Sequence, residues 1–188
     1  WIDVAQIWLG GPSGPGWIPA RALGGGSSEE WGWAASGIGD TDGDGFGEVA
    51  VGGPLDGDGT VVILGGHPDL VTTAPLAVTW GEPIPVEVDS AFPSTEITLA
   101  TSARNVRVGR CFEDLAGLCT GLAHARRVDT RTAGPDGVGS FVADPPLGLV
   151  PGETAWFVGV SVIADGDWTA VERSSATPVA VRSPGTTY

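Results

Sequence analysis

The chain has 188 residues, enough for one large or two modest domains, and it holds 31 Gly and 15 Pro but no Met and no Lys. With 41% hydrophobic residues it can bury real cores, which argues against disorder, while 23 acidic residues against nine Arg give a formal charge of −14. Such a surface repels phosphate backbones and excludes a nucleic-acid partner, and without any run of roughly 18 apolar residues no membrane span is expected. Asn and Gln occur once each (Asn105, Gln6), and Val and Thr recur in short alternating runs. That mixture predicts an all-β chain of short strands and tight turns, with minimal helix. The first residue is Trp1 rather than Met, which reads as a processed or truncated N-terminus from which a secretion signal can have been removed.

In chain order, residues 1 to about 72 hold five of the eight Trp (Trp1, Trp8, Trp17, Trp31, Trp33) and the densest Gly. Strands are expected at Asp3–Leu9, Ile18–Leu23, Trp31–Gly37, Glu48–Val51 and Thr60–Leu64. Turns are expected at Gly10–Gly16, Gly24–Ser28, Asp40–Gly47 and Asp56–Gly59, and the pattern relaxes into a linker from Thr72 to Pro75. The second region alternates more cleanly. Ile84-Pro-Val-Glu-Val and Glu96-Ile-Thr-Leu-Ala-Thr put apolar side chains on one face, as a half-buried antiparallel strand requires. A Gly134-Pro-Asp-Gly turn joins expected strands Arg126–Thr132 and Gly139–Ala143, and Asp165-Gly-Asp joins Trp156–Ile163 to Trp168–Glu172 as a hairpin. Thr177–Arg182 is the last strand, and one helical turn is expected at Phe112–Leu118. About seven strands in this region predict an immunoglobulin-like sandwich.

Cys111 and Cys119 are the two cysteines. One pair defines no framework: it clips a loop in an oxidising compartment, or stays as two buried thiols. Zinc is poorly supported, because His67 and His124 lack ligand spacing relative to the cysteines. Each histidine reads as structural, His67 in a Gly-Gly-His-Pro loop and His124 in a strand.

Residues 40–48 read Asp-Thr-Asp-Gly-Asp-Gly-Phe-Gly-Glu. Alternate carboxylates at Asp40, Asp42 and Asp44 converge if the backbone wraps around one point. Gly45 permits the sharp turn that brings the Phe46 carbonyl inward, and Glu48 closes the shell. Four carboxylates crowded together call for a hard divalent ion, and a flexible all-oxygen cage suits Ca²⁺ better than Mg²⁺. An EF-hand is excluded, since its twelfth loop position is Val51 here and flanking amphipathic helices are absent. The metal is therefore expected in a β-hairpin. Asp56-Gly-Asp-Gly and Asp165-Gly-Asp are too short for a cage and read as turns.

The stretch Trp31-Gly-Trp-Ala-Ala-Ser-Gly-Ile-Gly-Asp-Thr-Asp-Gly-Asp-Gly-Phe-Gly-Glu-Val-Ala-Val-Gly-Gly-Pro resembles the FG-GAP repeat of integrin α-subunit β-propellers and their bacterial relatives. Trp31-Gly32 takes the Phe-Gly position and Val51-Gly-Gly-Pro54 the Gly-Ala-Pro position. The resemblance implies metal ligation by Asp40, Asp42, Asp44, Phe46 (main chain) and Glu48, where family members more often carry Asp at the last position. Ile7-Trp-Leu-Gly-Gly-Pro-Ser-Gly looks like the closing strand of a preceding repeat, and Val61-Val-Ile-Leu-Gly-Gly like that of this one. The stretch around Gly109-Arg-Cys-Phe-Glu-Asp-Leu-Ala-Gly-Leu-Cys looks like a β-sandwich module that follows such repeats in secreted proteins, which implies a Cys111–Cys119 disulfide. The implied organisation is an FG-GAP repeat over 1–72, about one blade plus the end strand of a preceding one, and an immunoglobulin-like sandwich over 77–186. Propellers close with about four to eight blades, so a single blade needs the sandwich, a neighbouring copy or other blades to cover it. The Trp residues of the first region read as core or blade-interface residues, with carbohydrate stacking as the rival.

These features lead to the expectation of a non-catalytic structural or adhesive module, extracellular or at the cell surface, with a Ca²⁺-stabilised loop and other protein chains as partners. Such a module assembles with copies of itself or with the remaining blades. The alternatives are a calcium-dependent glycan- or protein-binding module, or an accessory C-terminal part of a secreted hydrolase. An enzyme is not expected: G-x-S-x-G and H-E-x-x-H are absent, and a fully caged ion leaves no open coordination position.

Overall fold

The computed structural model describes residues 4–8, 10–11, 14–15, 19–25, 30–43, 45–65, 70–89, 93–106, 109, 111, 119–165 and 168–185. All regular structure among them is β, in several sheets, none closed into a barrel. The strands run β1 Val4–Ile7, β2 Gly10–Gly11, β3 Gly14–Pro15, β4 Arg21–Gly25, β5 Ala34–Gly39, β6 Glu48–Gly53, β7 Thr60–Leu64 and β8 Val71–Thr73. They continue with β9 Ala77–Thr79, β10 Ile84–Asp89, β11 Glu96–Ser102, β12 Arg126–Thr132, β13 Val138–Ala143, β14 Thr154–Asp165, β15 Trp168–Arg173 and β16 Thr177–Arg182. The helical turn expected at Phe112–Leu118 lies outside the described residues, as do His67, Trp1 and Trp17.

The chain divides into two compact units. One is built within Trp1–Asp69 together with Val162–Glu172, the other within Leu70–Cys111, Cys119–Ser161 and Arg173–Tyr188. The long strand β14 is thus divided between the units after Ser161, and β15 belongs to the first up to Glu172.

In the first unit β4 pairs antiparallel with β1 along one edge and with β15 along the other, from Trp168↔Gly25 to Glu172↔Arg21. A second, antiparallel sheet runs β5-β6-β7. Alternation on β6 and β7 sets Val51 opposite Val62, and both are buried in one core with Leu23, Trp31 and Ala170. Trp31 was expected to open a strand. It sits instead in the turn before β5, with its ring over Gly53 so closely that a Cβ there would lie 3.0 Å away. The register also brings Arg21 opposite Glu172, where they form a largely buried ion pair at 2.6 Å, and Arg21 Nη1 donates to the Gly65 carbonyl at 3.3 Å. The Trp residues divide: Trp31 is buried, whereas Trp33 is 73% and Trp8 44% exposed.

The second unit is a two-sheet sandwich. One sheet runs β8-β10-β13, and the other runs β12-β11-β14-β16-β9, with β9 parallel to β16. On β10, Ile84, Val86 and Val88 are buried and alternate with exposed Pro85, Glu87 and Asp89. They join Phe141 of the same sheet, and Ile97, Leu99, Phe157 and Val179 of the facing one, in a single core. Each such side chain contributes about 1.5–3 kcal/mol by leaving water. Polar groups also cross this core. Thr72 Oγ1 and Ser174 Oγ lie 2.6 Å apart, the Gly159 N–H donates to both at 3.0 Å, and Thr177 Oγ1 donates to the Thr72 carbonyl at 2.6 Å. A Cβ at Gly159 would come 2.5 Å from Val88 Cγ1, so the close approach requires glycine.

Two expectations change here. Thr72 and Thr73, read as the start of a linker, belong to strand β8, because a three-residue strand is too short to display alternation. His124, read as a strand residue, is exposed in the turn before β12 with φ 51°. The Cys111–Cys119 disulfide implied by the resemblance is present: the two cysteines face each other on an antiparallel bridge within the β11–β12 connection. On β12 itself, Asp129 accepts from Arg131 Nε at 2.9 Å and from the Thr130 N–H at 2.9 Å. These two bonds, Arg131 first, hold its carboxyl below the usual range.

Two substitutions test this architecture. Glu172→Ala strands the Arg21 guanidinium in a mostly buried setting and is expected to cost about 3–5 kcal/mol, read as faster amide exchange in β4 and β15. Gly159→Ala is expected to destabilise the sandwich by about 1–3 kcal/mol through overpacking against Val88, read as a lower urea midpoint with unchanged slope.

Candidate metal centre

The acidic loop is the connection of the β5–β6 hairpin. Gly37 pairs with Val49 and Gly39 with Glu48, so Ile38 is an extra residue that bulges just before the loop begins. Three glycines then adopt positive φ: Gly39 (77°), Gly43 (83°) and Gly45 (94°). At these positions a Cβ would be strained, which is why the run alternates Gly with its acidic residues.

The loop is held by hydrogen bonds from its own backbone. Asp40 Oδ1 accepts from the Gly43 N–H at 2.7 Å, and Asp40 Oδ2 from the Gly45 N–H at 3.1 Å. Thr41 donates twice to Glu48 Oε2, through its N–H and, at 2.6 Å, through Oγ1. Glu48 is only 3% exposed at the start of β6, whereas Asp40 and Asp42 are exposed. Its position is therefore fixed twice, by strand pairing with Gly39 and by Thr41.

This brings Asp40, Asp42 and Glu48 together: one carboxylate oxygen from each lies within 4.8 Å of the others. Like charges about 4 Å apart at a protein surface repel by about 4 kcal/mol per pair, and a divalent cation between them reverses the sign. The triad can hold a metal ion, and oxygen-only donors suit a hard one. Phe46 lies in the same loop and is 41% exposed. Asp44 lies outside the described residues.

The sequence reading missed Thr41, whose hydroxyl and N–H orient Glu48. Its position between two acidic residues was the available signal. The Asp56-Gly-Asp-Gly segment is an ordinary turn, with Asp56 N–H donating to Gly53 O at 3.3 Å and Gly59 N–H to Asp56 O at 2.8 Å. No helix among the described residues is long and apolar enough to cross a membrane.

No protein-family model matches the chain, and no curated protein matches it significantly.

Glu48→Gln preserves an acceptor for Thr41 but removes one charge from the triad. Calorimetric titration with a divalent cation is expected to show affinity reduced about tenfold or more, with the β-rich circular dichroism unchanged. Equal affinity in the two proteins would place the ion elsewhere.

Proposed function

We propose that the chain is a non-catalytic, extracellular structural or adhesive module in which a Ca²⁺ ion braces the β5–β6 loop. The observation that carries this reading is the convergence of Asp40, Asp42 and Glu48 at the mouth of one hairpin, with Glu48 oriented by Thr41. In this reading Asp44 and the Phe46 carbonyl complete the shell, and the flexible oxygen donors select calcium over magnesium. The D-x-D-x-D pattern between a Trp-Gly and a Val-Gly-Gly-Pro sequence supports an FG-GAP-type repeat for the first unit. The order β12-β11-β14-β16-β9 facing β8-β10-β13, with an initial strand parallel to the last, supports an immunoglobulin-type sandwich for the second.

The disulfide supports an oxidising compartment and hence a secreted or surface location. Calcium binding to the folded state alone would stabilise it by an amount that grows with the logarithm of ion concentration above the Kd, coupling the module to the extracellular calcium level. As an assembling module the chain would join copies of itself or other propeller blades. Trp33, 73% exposed beside the loop-bearing hairpin, favours one second reading, calcium-dependent glycan binding, which a glycan array in calcium against chelator separates from a purely structural role.

Size-exclusion chromatography with light scattering, in calcium and then in chelator, tests the main reading. Assemblies that shrink or unfold on chelation are expected. A stable monomer in both buffers would overturn it and make the loop incidental.

A further inference from the structure

The chain's charge is divided unevenly along its length. Residues 1–69 carry ten acidic side chains against Arg21 alone, whereas six of the nine Arg lie between Arg104 and Arg131 with three acidic residues among them. In the second unit that arginine-rich stretch builds a cleft at the start of β12. Two adjoining pockets of about 290 and 140 Å³ share Arg126, Pro146 and Leu147; Arg127 and Asp144 line the larger, Arg104 and His124 the smaller. Three guanidinium groups against one carboxylate leave the cleft cationic.

Arg126 and Arg127 pair with Thr101 and Ala100 at the start of β12, and Val128 just beyond them is an extra residue, since Leu99 pairs with Asp129; Arg126, Arg127 and Val128 all line the larger pocket. His124 holds a left-handed backbone conformation at the rim, which is uncommon for a residue with a Cβ. At the far end of β12 the arrangement differs: Arg131 is engaged by Asp129, by the Ser140 carbonyl at 2.8 Å and by the Phe141 ring.

Among the described residues β12 pairs with β11 alone, so its other backbone edge is a template for a further strand. Charges and bulges keep such edges from pairing indiscriminately, and here they admit a partner of opposite charge. Among the described residues the cleft is lined by no Trp, Tyr or Phe ring on which a sugar could stack, which favours a peptide. The chain itself contains a matching strand. Among the described residues β5 pairs with β6 alone; its six residues are all exposed, and it leads directly into Asp40-Thr-Asp-Gly-Asp. Laid antiparallel on β12, the end of β5 and the acidic loop fall beside Arg126 and Arg127.

We propose that β12 of one copy accepts β5 of a second copy as an added antiparallel strand, with the exposed carboxylates of Asp40 and Asp42 seated in the arginine cleft. Guanidinium and carboxylate form charge-assisted, bidentate pairs, and the four carboxylates of the loop stay net negative even around a dication. The two surfaces are different, so the contact is heterologous and links copies head to tail. The proposal rests on the reading of this chain as an assembling module and names the contact by which it assembles.

Sedimentation velocity of the full chain, across concentration and from 0.05 to about 1 M salt, tests it. The wild type is expected to form a concentration-dependent ladder that collapses at high salt. Arg126→Glu, and independently Ser36→Arg on exposed β5, are each expected to weaken association about tenfold or more with native circular dichroism. Because Arg126→Glu keeps its acidic edge, adding it to the wild type should cap and shorten the chains. If the wild type assembles but both variants assemble equally well, this contact is overturned and the assembling reading stands. A wild type that is monomeric throughout overturns both. Polygalacturonate binding that depends on Arg126, with no self-association, would replace the protein partner with an acidic polysaccharide and also overturn the proposal.

Discussion

The pairing of Trp168–Glu172 with Arg21–Gly25 is the interaction on which the first unit depends. Residues 1–69 alone supply β1 and β4 as a two-stranded ribbon and β5-β6-β7 as a small sheet. Neither buries much by itself, and isolated ribbons are marginal in water. β15 brings Ala170 into the core beside Leu23, Trp31, Val51 and Val62, and brings Glu172 to Arg21. The contact joins residues nearly 150 positions apart, so its loop-closure entropy falls before its reward. The sandwich strands that lie between in sequence shorten that search once they have formed.

The sandwich unit shows how a chain with modest aliphatic side chains packs two sheets closely. Gly159 lets β14 approach the Val88 methyl groups, and the hydroxyls of Thr72 and Ser174 lie beside them on its N–H. Thr72 and Ser174 both accept from the Gly159 N–H, so a backbone donor left over by the change of partner from β15 to β16 finds its acceptors in side chains. Satisfied in this way the polar cluster specifies one alignment of the sheets, whereas an unmade bond at the same depth would cost about 1–3 kcal/mol.

The acidic loop and the arginine cleft each lie beside an irregularity in a strand. Ile38 is an extra residue just before the loop, and Val128 is one just after Arg126 and Arg127. In both places like charges are concentrated, and that favours an ion or a surface of opposite charge.

Much of this was legible in the residues. Alternation marked β10, β12, β13 and β16 within a residue or so, since one buried face imposes a period of two on the sequence. Spacing alone likewise gathered Asp40, Asp42 and Glu48 into one loop, because glycines at fixed intervals leave the chain few ways to turn. The short strands β8 and β9 were illegible, being too brief to show a period, and Trp31 could not be told from Trp33 until one lay against Gly53 and the other faced solvent. Sequence therefore determined the class of the fold and the composition of the acidic loop, which are local properties of a few adjacent residues. Tertiary structure alone decided that Glu48 is buried under Thr41, that Arg126 and Arg127 share a cleft, and that a hairpin from late in the chain completes the first unit. Each of those depends on register between distant strands, and register is set by what two surfaces can bury together, which no single segment encodes.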